Sequence, residues 1–347
     1  MRIVDLRSDT VTLPTPAMRE AMYRAEMGDD VYGEDPTVNR LEAMAAERMG
    51  KEAALFVVSG TMGNLVSLLT HCGRGDEAIM GDKAHTFLYE GQGTSVLGGI
   101  AVRTVPNLPN GMLDPTEVEA AIRDDNVHFP RTRLICLENT HNRCGGAVLT
   151  PAQMATIREV ALRHGLAMHL DGARIFNAAV ALGIEAKEIA AQADSVQFCF
   201  SKGLSAPVGS AICGSAAFIK AARRNRKLVG GAMRQAGVLA AAAIVALEQM
   251  VDRLAEDHEN AHILAKGLAE IPGFDVDLKA VQSNIIIFGL SAPRVQVKDV
   301  VMALVAEGIK IGAISPTRFR VVTHYGISRE DILTALAAMR KVMSKLA

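Results

Sequence analysis

Lys202 stands at the end of an apolar run, Val196-Gln197-Phe198-Cys199-Phe200-Ser201, and is followed by Gly203. A lysine delivered by a buried strand and partly stripped of water has an amine that is nucleophilic near neutral pH, the setting of a Schiff-base lysine. Most lysines are solvated surface charges, so Lys202 gains weight from its company. Asp171 ends a second apolar run, Ala167-Met168-His169-Leu170, with Gly172, Ala173 and Arg174 behind it. A carboxylate there projects into the crevice at the carboxyl ends of parallel strands, and beside a pyridine nitrogen it keeps the ring protonated and electron-withdrawing. Its alternative is to cap the following helix. A third stretch, Ser59-Gly60-Thr61-Met62-Gly63-Asn64, joins a strand to a helix. Either its free amides and the Thr61 hydroxyl bind an anion, or its glycines serve only a tight turn. No Walker A lysine pattern accompanies it, and Gly91-Gln92-Gly93 lacks a third glycine, which argues against a nucleotide site.

These three stretches must share one edge of a sheet. Apolar runs of strand length fall at Ala53 to Val58, Glu77 to Gly81, Ala101 to Val105, Arg133 to Glu138, Leu166 to Leu170, Ser195 to Phe200 and Ser210 to Cys213. Longer helical patterns alternate with them, which predicts an α/β domain. Asp35-Pro36, Asp114-Pro115 and Thr150-Pro151 each combine an N-cap with Pro at the first helical position. After Arg234 the chain is Ala-rich and helical to about Ile271, with strand patterns at Asn284 to Phe288 and Arg320 to Val322. The reading is an N-terminal segment (1–16), a large domain (17–248) and a small α+β domain (249–347), with the boundary near Gln249 inside one long helix.

Composition narrows the class. Hydrophobic residues make up 49% and charged residues 22% of 347, enough for a sizeable core and inconsistent with a disordered chain. No apolar run reaches spanning length uninterrupted, so no membrane is expected. A formal charge of -1 provides no basic face by composition, which argues against nucleic acid as a partner. Cys72, Cys136, Cys144, Cys199 and Cys213 are odd in number and widely spaced, with neither a disulfide framework nor a zinc C-x-x-C pair. They read as buried thiols suited to the reducing cytoplasm, and no metal site is expected.

Longer motifs carry a resemblance. Asp5 to Thr10, Gly28 to Pro36, Ser59 to Asn64, Glu138-Asn139-Thr140-His141-Asn142, His169 to Arg174, Ser201 to Gly209, Gly230 to Gln235 and Arg320 to His324 together resemble the low-specificity L-threonine aldolases. The match runs in order through nearly the whole chain. It implies the aspartate-aminotransferase-like fold (pyridoxal-phosphate fold type I), with a mostly parallel seven-stranded sheet, and a homotetramer. It also implies pyridoxal 5'-phosphate on Lys202, with Asp171 at the pyridine nitrogen and His85 stacked on the ring. Gly60, Thr61, Met62, Arg174 and Arg234 join the cofactor site, Arg234 reaching phosphate across a subunit boundary. Ser8, Arg174 and Arg320 grip the substrate carboxylate. Ser205 and Ala232 stand where the family has glycine.

The implied reaction is cleavage of β-hydroxy-α-amino acids to glycine and an aldehyde, which needs a base at the β-hydroxyl. His85 and His128 are the candidates, against a purely stacking His85 and an ordinary loop His128. His141 instead holds its loop by hydrogen bonds in this reading, and His258 with His262 form a solvated helix face. Two rivals remain. A β-eliminating lyase or amino-acid racemase would share Lys202 and Asp171, and a cofactor-binding regulator would lack turnover.

Overall fold

The computed structural model describes residues 2–346. A short strand β1 (Val4–Asp5) precedes the main sheet, whose strands are β2 (Ala53–Val57), β3 (Asp76–Gly81), β4 (Ala101–Val105), β5 (Arg131–Glu138), β6 (Ala167–Asp171), β7 (Ser195–Cys199) and β8 (Ser210–Gly214). Their order is β2-β8-β7-β6-β5-β3-β4, and only β8 runs against the rest. This is the α/β sheet expected, with each strand within about two residues of its sequence reading.

Because six strands run one way, their carboxyl ends share an edge, and the register pairs Glu138 with Asp171 and Asp171 with Gln197. The central strands are buried from end to end, hence the continuous apolar runs. All three Pro-opened helices are capped as read: Asp35 and Asp114 accept from first-turn amides, and Thr150 forms a capping box with Gln153.

A second sheet, β12-β13-β10-β9, is antiparallel and built from β9 (Phe274–Asp275), β10 (Ile285–Leu290), β12 (Gly312–Ser315) and β13 (Arg318–Val322). Strand β1 pairs in parallel with β11 (Ile309–Lys310), and Val322 N donates to Leu6 O, so the chain's start is stitched beside β13. Val4 and Leu6 accordingly belong to the apolar core of this later half, with Phe288, Phe319 and Met339. The Ala-rich stretch is two helices, Gly237–Gln249 and Leu254–Ala269, rather than one long helix. Among the described residues no helix is long and apolar enough to cross a membrane.

Candidate active site

Lys202 leaves the sheet in the turn after β7, half-buried, with its carbonyl held by the Thr12 hydroxyl at 3.0 Å and Ser205 N at 2.9 Å. It forms no ion pair among the described residues, which leaves its amine available. Ser205 is buried at φ 64, the left-handed region in which glycine is unstrained, and this explains glycine in the family at that place.

Asp171 is buried at the end of β6. Its Oδ1 accepts from Ala173 N at 3.0 Å, the local turn bond a capping residue makes, while Oδ2 accepts from Asn64 Nδ2 at 2.9 Å. The first helical turn after Ser59 leaves the amides of Gly60 and Thr61 without intrahelical partners, since Ser59 Oγ takes the Met62 amide. A side chain at Gly60 would strike Cys199 Sγ at 2.8 Å, so the glycine lets this turn lie against β7. Thr61 is exposed beside it.

Three cations surround one anion. Asp9, fully buried, accepts from Arg174 Nε and Nη2, both at 2.7 Å. Burial opposes the Asp9 charge, yet Arg174, then Lys202 and Arg320, hold its carboxyl far below the usual range. Arg320 has no anion of its own. Burial and the Arg174 charge lower it to about 10, and its Nε has no hydrogen-bond partner. Ser8 caps the turn Asp9–Val11, its oxygen accepting from Thr10, so its hydroxyl hydrogen stays free to donate.

His85 opens the short helix His85–Leu88, its amide donating to Glu138 Oε2 at 2.8 Å and its Nδ1 lying 2.8 Å from Glu90 Oε1. Burial works against the imidazolium, but Glu90 and Asp171 outweigh it and raise the His85 pKa. Burial has the opposite effect on the Glu90 carboxyl, raising it against the lowering contacts of His85 and Asn64. His85, Glu90 and Asp171 place ligand atoms within 4.8 Å of one another, a spacing that would also suit a metal ion. Asn64 already bridges the two carboxylates, donating to Glu90 at 2.8 Å. His85 and Arg320 line a cleft of about 430 Å³ with Tyr89, Arg143, Ile287 and Ile314. A wider surface cleft of about 610 Å³, between Arg48, Phe176 and Lys187, contains none of these groups.

Two expected residues lie apart within this chain. His128 is exposed in the loop before β5, whereas the site lies at the other end of that strand. Seven residue steps separate Arg131 from Glu138, about 23 Å of extended chain. Arg234 is exposed and pairs with Asp29 at 3.0 Å, although Gly231 in the same loop packs against Met62.

Other histidine readings need correction. Both ring nitrogens of His141 are buried without hydrogen bonds, and the loop is held by its backbone, His141 N to Ala147 O. His258 is buried against Asn177 at 3.1 Å and so departs from the solvated-face reading, whereas His262 is exposed as read and bonds back to the His258 carbonyl. The five cysteines are free, four buried and Cys144 partly exposed. Asp9, Asn64, Glu90 and Glu138 were not singled out individually by sequence reasoning. Asn64 lies one turn beyond Gly60 and Glu90 five residues beyond His85, local signals that point at the site only once the fold is known.

The chain as a whole is similar to known proteins. The family model for beta-eliminating lyases matches residues 5–290. Low-specificity L-threonine aldolase 1 of Arabidopsis thaliana is 48% identical over 99% of this chain and 97% of its own length. The low specificity L-threonine aldolase of Escherichia coli K12 is 46% identical over 99% of this chain and all of its own length. The solved threonine aldolase of Leishmania major superposes with a TM-score of 0.82 over 98% of this chain and 99% of its own, at 21% identity. The fold is thus that of fold type I pyridoxal-phosphate enzymes. With identity this high along its full length, the chain belongs to the low-specificity L-threonine aldolases within the beta-eliminating lyase family.

Proposed function

We propose that this protein cleaves L-threonine, L-allo-threonine and related β-hydroxy-α-amino acids reversibly to glycine and an aldehyde, using pyridoxal 5'-phosphate. The observation that carries this reading is the meeting, at one sheet edge, of an unpaired lysine, a buried carboxylate and a helix start with free amides. The residues suit the cofactor. Lys202 would bind its aldehyde carbon, Asp171 its pyridine nitrogen, Gly60, Thr61 and Arg234 its phosphate, and His85 would cover its ring. When bound, the cofactor supplies the electron sink for the negative charge left on Cα as the Cα–Cβ bond breaks.

The chain's own groups do the rest. Arg174 Nη1 and Arg320 provide donors for a carboxylate, aided by Ser8, and this grip selects which Cα bond is aligned for cleavage. His85, with its proton balance set by Glu90, takes the β-hydroxyl proton. His128 acts beside it only if a second copy supplies the loop, and Arg234 likewise reaches phosphate from a neighbouring subunit. A homotetramer meets both needs and would cover exposed Tyr23, Tyr32 and Val96. Free thiols throughout suit the cytoplasm.

The test is product analysis. Incubation with L-threonine should yield glycine and acetaldehyde in equal amounts, and Lys202→Ala should lose turnover and the visible absorption of bound cofactor together. Ammonia and a keto acid instead would indicate β-elimination, and D-allo-threonine would indicate racemisation at Cα.

A further inference from the structure

Asp171 Oδ2 accepts from Asn64 Nδ2 at 2.9 Å, and the same nitrogen donates to Glu90 Oε1 at 2.8 Å. Facing two acidic side chains fixes the amide: its nitrogen points to them and its oxygen to His169 Nε2, 3.1 Å away. An amide oxygen only accepts, so His169 carries its hydrogen on Nε2. Its bare Nδ1 then accepts from the Ser195 hydroxyl at 2.8 Å. With its hydrogen directed at His169, Ser195 Oγ accepts from His71 Nε2 at 2.7 Å. Every donor in the series points toward Asp171.

The fold builds this line from regular elements. His169 lies two residues before Asp171 on β6, hence on the same face. Ser195 sits opposite His169 in the β6–β7 register. Asn64 and His71 are seven residues apart on the helix Gly60–His71, two turns along one face. His71 closes the line, half-buried against the Phe218 ring at 4.5 Å. Both imidazoles stay neutral, because burial lowers His169 to about 3 and His71 to about 4. Neutral rings can be donor at one nitrogen and acceptor at the other, as the line requires.

We propose that His169, Ser195 and His71 are positioning residues for the cofactor, a one-way donor chain that locks the Asn64 amide and through it keeps Asp171 aimed at the pyridine nitrogen. This rests on the assignment of Asp171 to that nitrogen. Were the Asn64 amide to turn over, its oxygen would face Asp171 and Glu90 and its NH2 would face the His169 N–H, like against like at both ends. The His169 hydrogen on Nε2 opposes this, and Ser195, whose hydroxyl donates to Nδ1 while accepting from His71, supports that tautomer.

The experiment titrates apoprotein with pyridoxal 5'-phosphate, follows visible absorption, and measures the melting temperature of each apoprotein. His169→Leu removes the donor to Asn64. His169→Gln returns an N–H near the Nε2 position, whereas His169→Asn reaches only toward Ser195. Loss of one hydrogen bond to a charge-bearing network should weaken cofactor binding about tenfold in the Leu and Asn variants. His169→Gln should stay within about threefold of wild type and Ser195→Ala should weaken binding about threefold, as fits an indirect contact. Equal weakening by Leu and Gln, or losses that merely follow the apoprotein melting temperatures, would overturn the proposal. So would wild-type affinity in Ser195→Ala, a variant small enough to fold if His169→Leu does not. Asp171→Asn separates the two readings. Unchanged affinity there removes the Asp171 assignment itself, whereas weakened affinity there with an unaffected His169→Leu removes only the donor chain.

Discussion

Replacing Asp9 by Asn should cripple the enzyme although this side chain need not touch the reacting atoms. Asp9 makes both bonds that fix the Arg174 fork, each 2.7 Å long, and its charge faces Arg174, Lys202 and Arg320 together. Asn keeps the size but removes the charge and replaces one acceptor oxygen with an NH2 that faces the guanidinium. Leaving a buried charge without its partner costs about 3–5 kcal/mol. For a chain of this length that corresponds to a melting temperature lower by roughly 4–7 °C. The kinetic signature is more specific. The pocket becomes more positive, so a substrate carboxylate is still attracted and KM should change little. Arg174 is no longer held in one orientation, and a displacement on the order of 1 Å costs about 100-fold in rate, so kcat should carry the loss. Steady-state kinetics with L-threonine, beside thermal melts of the same preparation, decide the matter. Wild-type kcat in a protein destabilised as calculated would show that Arg174 needs no anchor. A rise in KM alone would show that Asp9 shapes binding rather than alignment.

Two further outcomes follow from the same geometry. If a second copy supplies His128, then mixing inactive Lys202→Ala with the impaired variant His128→Phe under conditions that exchange subunits should raise activity per Lys202 site above that of His128→Phe alone, because some sites regain both groups; no rise in verified mixed oligomers would end the assignment. His71, lowered by burial to about 4 from an ordinary value of 6.5, is neutral in the fold while the unfolded chain takes up a proton, so its contribution is complete above pH 6.5 and disappears as pH falls toward 4. The stability of wild type over His71→Gln should therefore shrink by on the order of 2 kcal/mol between pH 7 and 4 in denaturant titrations. Asp257, raised by burial to about 6, acts in the opposite sense but is common to both proteins and cancels in the difference.

What the sequence made legible was local. Strand limits followed from apolar runs because the central strands are buried on both faces, and helix starts followed from Asp-Pro and Thr-Pro pairs whose caps are short-range. Lys202 and Asp171 could be placed together since both end parallel strands. By the same rule His128, which precedes β5, belongs at the opposite edge. The resemblance assigned it a role that the connectivity of a single chain cannot satisfy. The Asp9–Arg174 pair joins residues 165 apart, and no periodicity announces such a contact. The break between Gln249 and Leu254 was hidden because a high helix propensity on both sides reads as one helix.

The arrangement of charge bears on why this edge takes an amino acid and not a simple amine. Arg174, Arg320 and Lys202 gather around Asp9, which leaves positive charge unbalanced. Glu90, Asp171 and Glu138 gather around His85, so acidic groups dominate that part of the site. Anionic ligand groups are favoured at the first cluster and a protonated ring nitrogen at the second, and neither cluster is neutral without them. Desolvation strengthens both preferences, since charges half-removed from water interact at an effective dielectric well below that of bulk solvent. A ligand without a carboxylate would leave the first cluster uncompensated whatever the cofactor does at the second, and that unfavourable remainder discriminates against it more strongly than any loss of apolar contact.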